Sequence, residues 1–228
     1  MNTQKFNAVL IGSLFLLAGC GSPTIKGNII SQKLGAEMPD LISVLPPDNH
    51  SNDLTAVEVI QRAGGAALVG HGYYAVSNKA QDAALQKMGI TDGGQLMAFK
   101  AADICRNLGA QGLLYSVVED FNEINIGFWQ SKKVKFNLKL TDCEGENLWE
   151  GDAMFRVRLL TINPQAALQN FASRAIGQVL ESALKVHLVG ESNMAALKLG
   201  EKITPWPNDP KAQVASSGGG RMKAVRKR

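Results

Sequence analysis

Apolar and polar residues alternate most regularly between Val134 and Arg158. Val134, Phe136, Leu138 and Leu140 are separated by Lys135, Asn137 and Lys139. After Leu148 and Trp149, Ala153, Phe155 and Val157 alternate with Asp152, Arg156 and Arg158. A period of two puts one set against a core and the other in water. With Gly145 in the Asp142–Glu146 turn, the two runs predict a β-hairpin. The apolar block Leu113–Val118 predicts a strand over Gly112–Phe121. Leu41–Leu45 predicts another, stopped by Pro46 and Pro47, which cannot donate to a central ladder. Tyr73–Val76 predicts a third, shorter one.

Between these runs the period changes to that of a helix. Thr55 stands three residues before Glu58, a capping-box spacing, and predicts a helix to about Val69. Gly64 and Gly65 inside it each cost ~1 kcal/mol against alanine, which points to close packing on a neighbour. Ala80–Met88 predicts a brief helix ended by Gly89. After the turn Thr91–Gly94, a stripe of Leu96, Phe99, Ala102, Cys105 and Leu108 predicts a helix over Gln95–Leu108, stopped by Gly109. The longest stripe runs from Leu168 to Leu184, opened by Asn163 and Pro164 and followed by Gly190. It predicts an amphipathic helix lying across the sheet. A weaker helix is expected within 191–204. The order β-α-β-α-α-β-β-β-α predicts an α/β (α+β) sandwich over residues 40–190, on a mixed sheet of about five strands.

The ends of the chain differ from this body. Residues 1–19 join a charged start (Lys5), an apolar run over Ala8–Ala18 and small residues before Cys20, the layout of an export signal. The run is about half the ~20 residues needed to span a bilayer. Leu17-Ala18-Gly19-Cys20 resembles the bacterial lipobox, which implies that Cys20 is acylated after the signal is removed. By resemblance to the Gram-negative sorting rule, Gly21 rather than Asp after the cysteine implies the outer membrane, with the domain in the periplasm. Residues 20–39 are rich in Gly, Ser, Pro and Asn and read as a tether. Residues 205–228 read as a disordered basic tail.

The tail explains the charge. The chain has 228 residues, 24 Lys and Arg, 20 Asp and Glu, and a pI near 9.0. Five of the positives fall in the last eight residues. Setting those and Lys5 aside leaves 18 basic against 20 acidic, so the body carries no nucleic-acid footprint. The tail could meet anionic headgroups, although a solvated tail is the plainer expectation.

Three segments carry the resemblance to a known family. They are Ile42-Ser43-Val44-Leu45-Pro46-Pro47, Leu108-Gly109-Ala110 ahead of Leu113-Leu114-Tyr115, and Leu148-Trp149-Glu150-Gly151. Together with the lipobox, this set is similar to a family of bacterial lipoproteins of unknown function, over roughly residues 38–190. That family in turn resembles the curli secretion-channel lipoprotein, the N-terminal domain of the Tol-system periplasmic protein, and the lipoprotein activator of penicillin-binding proteins. Gln111 stands where members more often have an acidic residue. The resemblance implies a binding or assembly role beside other envelope proteins, curli-channel-like lipoproteins among them, and is compatible with a homo-oligomer. It supplies no catalytic residue and no cofactor.

The residues themselves agree. His50, His71 and His187 are scattered without metal-ligand spacing, and His187 is expected at helix-end carbonyls or in solvent. No nucleophile elbow or Walker loop occurs. Asp48 and Asp53 flank a loop after the first strand, where ligands often bind in α/β sheets, but a solvated loop is the first expectation. Of the cysteines left after Cys20, Cys105 and Cys143 fall in different elements. They read as separate buried thiols in preference to a disulfide. Phe128 and Trp129, among polar neighbours, either contact a partner or fold onto the core. The expected function is a lipid-anchored envelope protein acting through protein contacts in secretion or transport. The alternatives are a small-molecule-binding or hydrolytic domain, and a regulator of a cell-wall synthesis enzyme.

Overall fold

The structure is a computed structural model and describes residues 23–33, 38–126, 128–160 and 187–203. The signal and lipobox, the helix expected around 163–189 up to residue 186, and the basic tail lie outside the described residues.

A mixed, open sheet of seven strands organises the rest. Its strands are β1 (Thr24–Gln32), β2 (Leu41–Val44), β3 (Asp48–Asn49), β4 (Tyr74–Ala75), β5 (Gly112–Ile126), β6 (Trp129–Asp142) and β7 (Asn147–Leu160). They run in the order β1-β7-β6-β5-β2-β4, with β3 also on β5. The pairs β1–β7, β7–β6 and β6–β5 are antiparallel, and β2 and β3 lie parallel to β5. The predicted hairpin is β6–β7, with Leu138 opposite Gly151 and Phe136 opposite Ala153.

The sheet has two strands more than expected, and both come from segments read as irregular. Thr24–Gln32 lies inside the expected tether yet pairs with β7 along its length. Asp48–Asn49 opens the expected loop, and there pairing to β5 resumes after the interruption at Pro46–Pro47. Gln111 finds a role at the start of β2, where its Oε1 accepts from the Asp40 and Leu41 amides at 2.9 and 3.3 Å. An acceptor is what that position requires, and an amide oxygen supplies it as a carboxylate can.

Helices cover both faces. On one lie α1 (Thr55–Val69) and α4 (Val189–Gly200), over a core holding Ile60, Leu114, Phe136, Leu138 and Trp149. Gly64 faces this core: a Cβ there would stand 3.2 Å from Leu114 Cδ2, the close packing its presence implied. Thr55 is not the cap but the first helical residue. The N-cap is Leu54, without a side-chain cap bond, and Asp53 ahead of it accepts through Oδ1 from the Thr55 amide at 2.8 Å and from Thr55 Oγ1 at 2.6 Å. Helix α4 is no appendage, because Ala195, Ala196 and Leu199 are fully buried. It seats directly on β1: a Cβ on Gly27 would meet the Leu199 amide nitrogen at 2.4 Å. Gly190, expected to stop the preceding helix, sits in the first turn of α4.

On the other face, α2 (Asn78–Lys87) and α3 (Ala101–Leu108) cover only the β2–β5 side, over Leu45, Leu85, Leu96, Ile104 and Leu113. The helix expected over Gln95–Leu108 is two pieces. A 3-10 segment, Gly93–Ala98, is capped by Asp92 and Gln95. Phe99 and Lys100 are extended, and α3 starts afresh at Ala101. Gly109 stops α3 in the left-handed conformation, φ 63°, where glycine bears no Cβ penalty.

Candidate functional site

The unequal cover leaves part of one sheet face open to solvent. Along β5, β6 and β7 the residues that alternate with the core positions point there: Tyr115 and Val117, Lys135, Asn137 and Lys139, and Glu150 and Asp152. Beside the 3-10 segment this face forms a groove of about 380 Å³, floored by Tyr115, Asn137, Lys139 and Glu150 and walled by Met97 and Phe99. The floor is prearranged by hydrogen bonds. Asn137 Nδ2 donates to Glu150 Oε1 at 3.1 Å and to Asp152 Oδ1 at 3.2 Å. Lys135 pairs with Glu119, whose hydrogen bond raises the lysine pKa. Burial raises that of Tyr115. The wall is apolar, and Met97 is 81% exposed. A polar floor with an apolar lip suits recognition of an amphipathic chain.

The serine beside His50 is not paired with its imidazole as nucleophile to base. His50 meets Asp48 at 3.0 Å, and Ser51 Oγ donates to Asn49 Oδ1 at 2.7 Å, so the serine bonds an amide and not the imidazole. The helix end at which His187 is expected lies outside the described residues. His187 Nε2 stands 2.9 Å from Asp53 Oδ2, and the ring stacks on Phe121 with centroids 5.2 Å apart. Asp53 thus lies between the start of α1 and the lead-in of α4. No group of three His, Cys, Asp or Glu among the described residues could hold a metal. None of the described helices is long and apolar enough to cross a membrane.

Cys105 and Cys143 are joined in a disulfide, not kept as separate thiols, with Cα atoms 5.8 Å apart. The sequence places them in different elements, and the meeting is made by the fold: α3 packs where β6 ends, so the helix face and the strand end converge.

Phe128 and Trp129 separate. Strands β5 and β6 continue past the expected break to a tight turn, which leaves Phe128 at its apex, 62% exposed. Trp129 opens β6, half-buried, opposite Ile126 on one side and Leu160 on the other. Ile126 and Leu160 are 58% and 45% exposed. The three strands therefore end in an apolar tip, only part of which was visible as the Phe-Trp pair. The groove was missed because Phe99 and Leu96 share a stripe on an unbroken helix. Only the break at Phe99 turns Met97 and Phe99 outward.

The model of the family described as Putative lipoprotein GNA1162-like matches residues 32–201. Among solved structures, the chain resembles the lipoprotein GNA1162 from Neisseria meningitidis at 22% identity, covering 63% of this chain and 99% of that one with a TM-score of 0.49. It resembles the PelC dodecamer from Paraburkholderia phytofirmans at 12% identity, over 78% of this chain and 94% of that one, with a TM-score of 0.46. The LpoB C-terminal domain from Salmonella enterica is 22% identical over 53% of this chain and 84% of its own, with a TM-score of 0.39. Among curated proteins no sequence matches the chain.

Proposed function

This chain belongs to the GNA1162-like lipoprotein family, and from that premise we propose that it is an outer-membrane lipoprotein, acylated on Cys20, whose periplasmic domain works through protein contacts in an envelope assembly serving secretion or transport. What supports the reading is the open sheet face. Its groove offers an apolar lip at Met97 and Phe99 and a hydrogen-bonded polar floor at Asn137, Lys139 and Glu150. A peptide segment of another envelope protein, apolar on one side and polar on the other, matches that lining.

The test places a photo-crosslinking residue at Met97 in the full-length protein in its native envelope. The expected result is one discrete protein adduct that is lost when Lys139→Glu alters the floor, with the melting temperature unchanged. Adducts that ignore Lys139→Glu would remove the groove from the reading. The volume of the groove also lies within the range of small-molecule sites. Thermal stabilisation by a small solute, abolished by Lys139→Glu and without any protein adduct, would transfer the site to the alternative of a ligand-binding domain.

A further inference from the structure

Strand β1 begins at Thr24, so four residue steps separate it from Cys20. Fully extended, four residues span at most about 14 Å. If Cys20 carries the lipid, the bilayer surface lies within that distance of Thr24, and the sheet cannot stand far off the membrane.

The register fixes which end of the sheet is held there. Thr24 pairs with Arg156, whereas Gln32, at the far end of β1, pairs with Trp149. From Arg156, strand β7 continues four residues to Leu160, and Leu160 pairs with Trp129, which pairs with Ile126. At a rise of about 3.3 Å per residue, those four residues carry the tip about 13 Å beyond Thr24. The extended reach to the lipid and the overhang of the tip are thus nearly equal. The side chains are layered to match. Ile126, Trp129 and Leu160 form the outermost row, with Phe128 at the apex. One row behind, on the same face, come Arg158, Ser131 and Ile124, and one row further Arg156 with Lys133, which is paired to Asp120. Apolar and aromatic groups ahead of cations are the order in which an interfacial element meets acyl chains and then anionic headgroups.

We propose that the β5–β6 tip, Ile126, Phe128 and Trp129 with Leu160 of β7, inserts into the anionic bilayer that holds the lipid and sets the domain upright on it. This rests on acylation of Cys20, and the experiment separates the two. Full-length acylated protein carrying Trp206→Phe is reconstituted into vesicles of phosphatidylethanolamine and phosphatidylglycerol, with or without lipids brominated high in the acyl chain. Emission then comes from Trp129 and from Trp149, which is fully buried in the core and lies at the opposite end of β7. Brominated lipid is expected to remove about half of the emission. Trp129→Phe should abolish that quenching, and Ile126→Asn with Phe128→Ser should cut it at least threefold while the melting temperature holds. Acylated protein with unquenched Trp129 overturns this inference alone. So does a photo-crosslinker at position 128 that captures an envelope protein and no lipid. An unmodified Cys20, read by mass spectrometry, overturns the anchor and this inference together.

Discussion

Gly27 shows how much can depend on a missing methyl group. It sits in β1 under α4, and any Cβ there would overlap the backbone at Lys198 and Leu199. Backbone cannot swing aside as a side-chain end can. Gly27→Ala is therefore expected to lift α4 and cost about 1–3 kcal/mol, the range for overpacking. A fall in the urea midpoint checks it, and Asn28→Ala, one residue along, serves as the control. Tyr73 makes a different prediction. It is almost fully buried, and desolvation raises its phenol pKa to about 12. Below pH 10 both folded and unfolded chains keep the proton. Between 10 and 12 the unfolded chain releases it and the folded chain does not, so stability falls as pH rises through that window. Urea midpoints measured across it should decline, and Tyr73→Phe should flatten the slope. Gln81 marks the limit of reading residues singly. A glutamine in a short polar helix looks solvated, yet it is completely buried, bonded to Ser43 and donating to the Val44 carbonyl at 2.8 Å. Only the docking of α2 on β2 could reveal that.

At the scale of elements, the disulfide joins α3 to the end of β6 across 38 residues of sequence. Closing a loop of that length restricts the unfolded chain and contributes roughly 2–4 kcal/mol. Cys105→Ser with Cys143→Ser, or reduction, should lower the melting temperature while leaving the far-UV circular dichroism of the folded form intact. An unchanged melting temperature would mean the bond adds nothing. The elements themselves were legible to different degrees for physical reasons. The β6–β7 hairpin and α1 were plain because one face of each is buried and the other wet, which writes a period of two or 3.6 into the sequence. Strand β1 was not, although Ile25, Gly27 and Ile29 do alternate inward. Its buried centre is a glycine, chosen for the close approach of α4, and a glycine carries no apolar signal. The 3-10 segment failed for the opposite reason. Its apolar residues keep helical spacing across a break at Phe99 that only the backbone shows.

On the scale of the whole molecule, the described helices cover one face of the sheet and only the β2–β5 side of the other. That asymmetry separates the candidate surfaces. The groove faces sideways from the uncovered half, whereas the tip lies at the end of the strands, where β1 begins. A protein partner and a membrane could thus be engaged at once without competing for the same residues. Neither surface was readable from composition, since the basic pI belongs to the tail and the body is close to neutral. The pairing of β1 with β7 has a further consequence, which concerns time. Thr24 meets Arg156, a partner 132 residues downstream. A chain exported N-terminus first delivers β1 at the outset and β7 near the finish. The segment behind the signal must therefore wait as unpaired strand until most of the domain has emerged. On the proposal that Cys20 is acylated, that interval would offer it on open chain, before the pairing of β1 with β7 closes the sheet beside it.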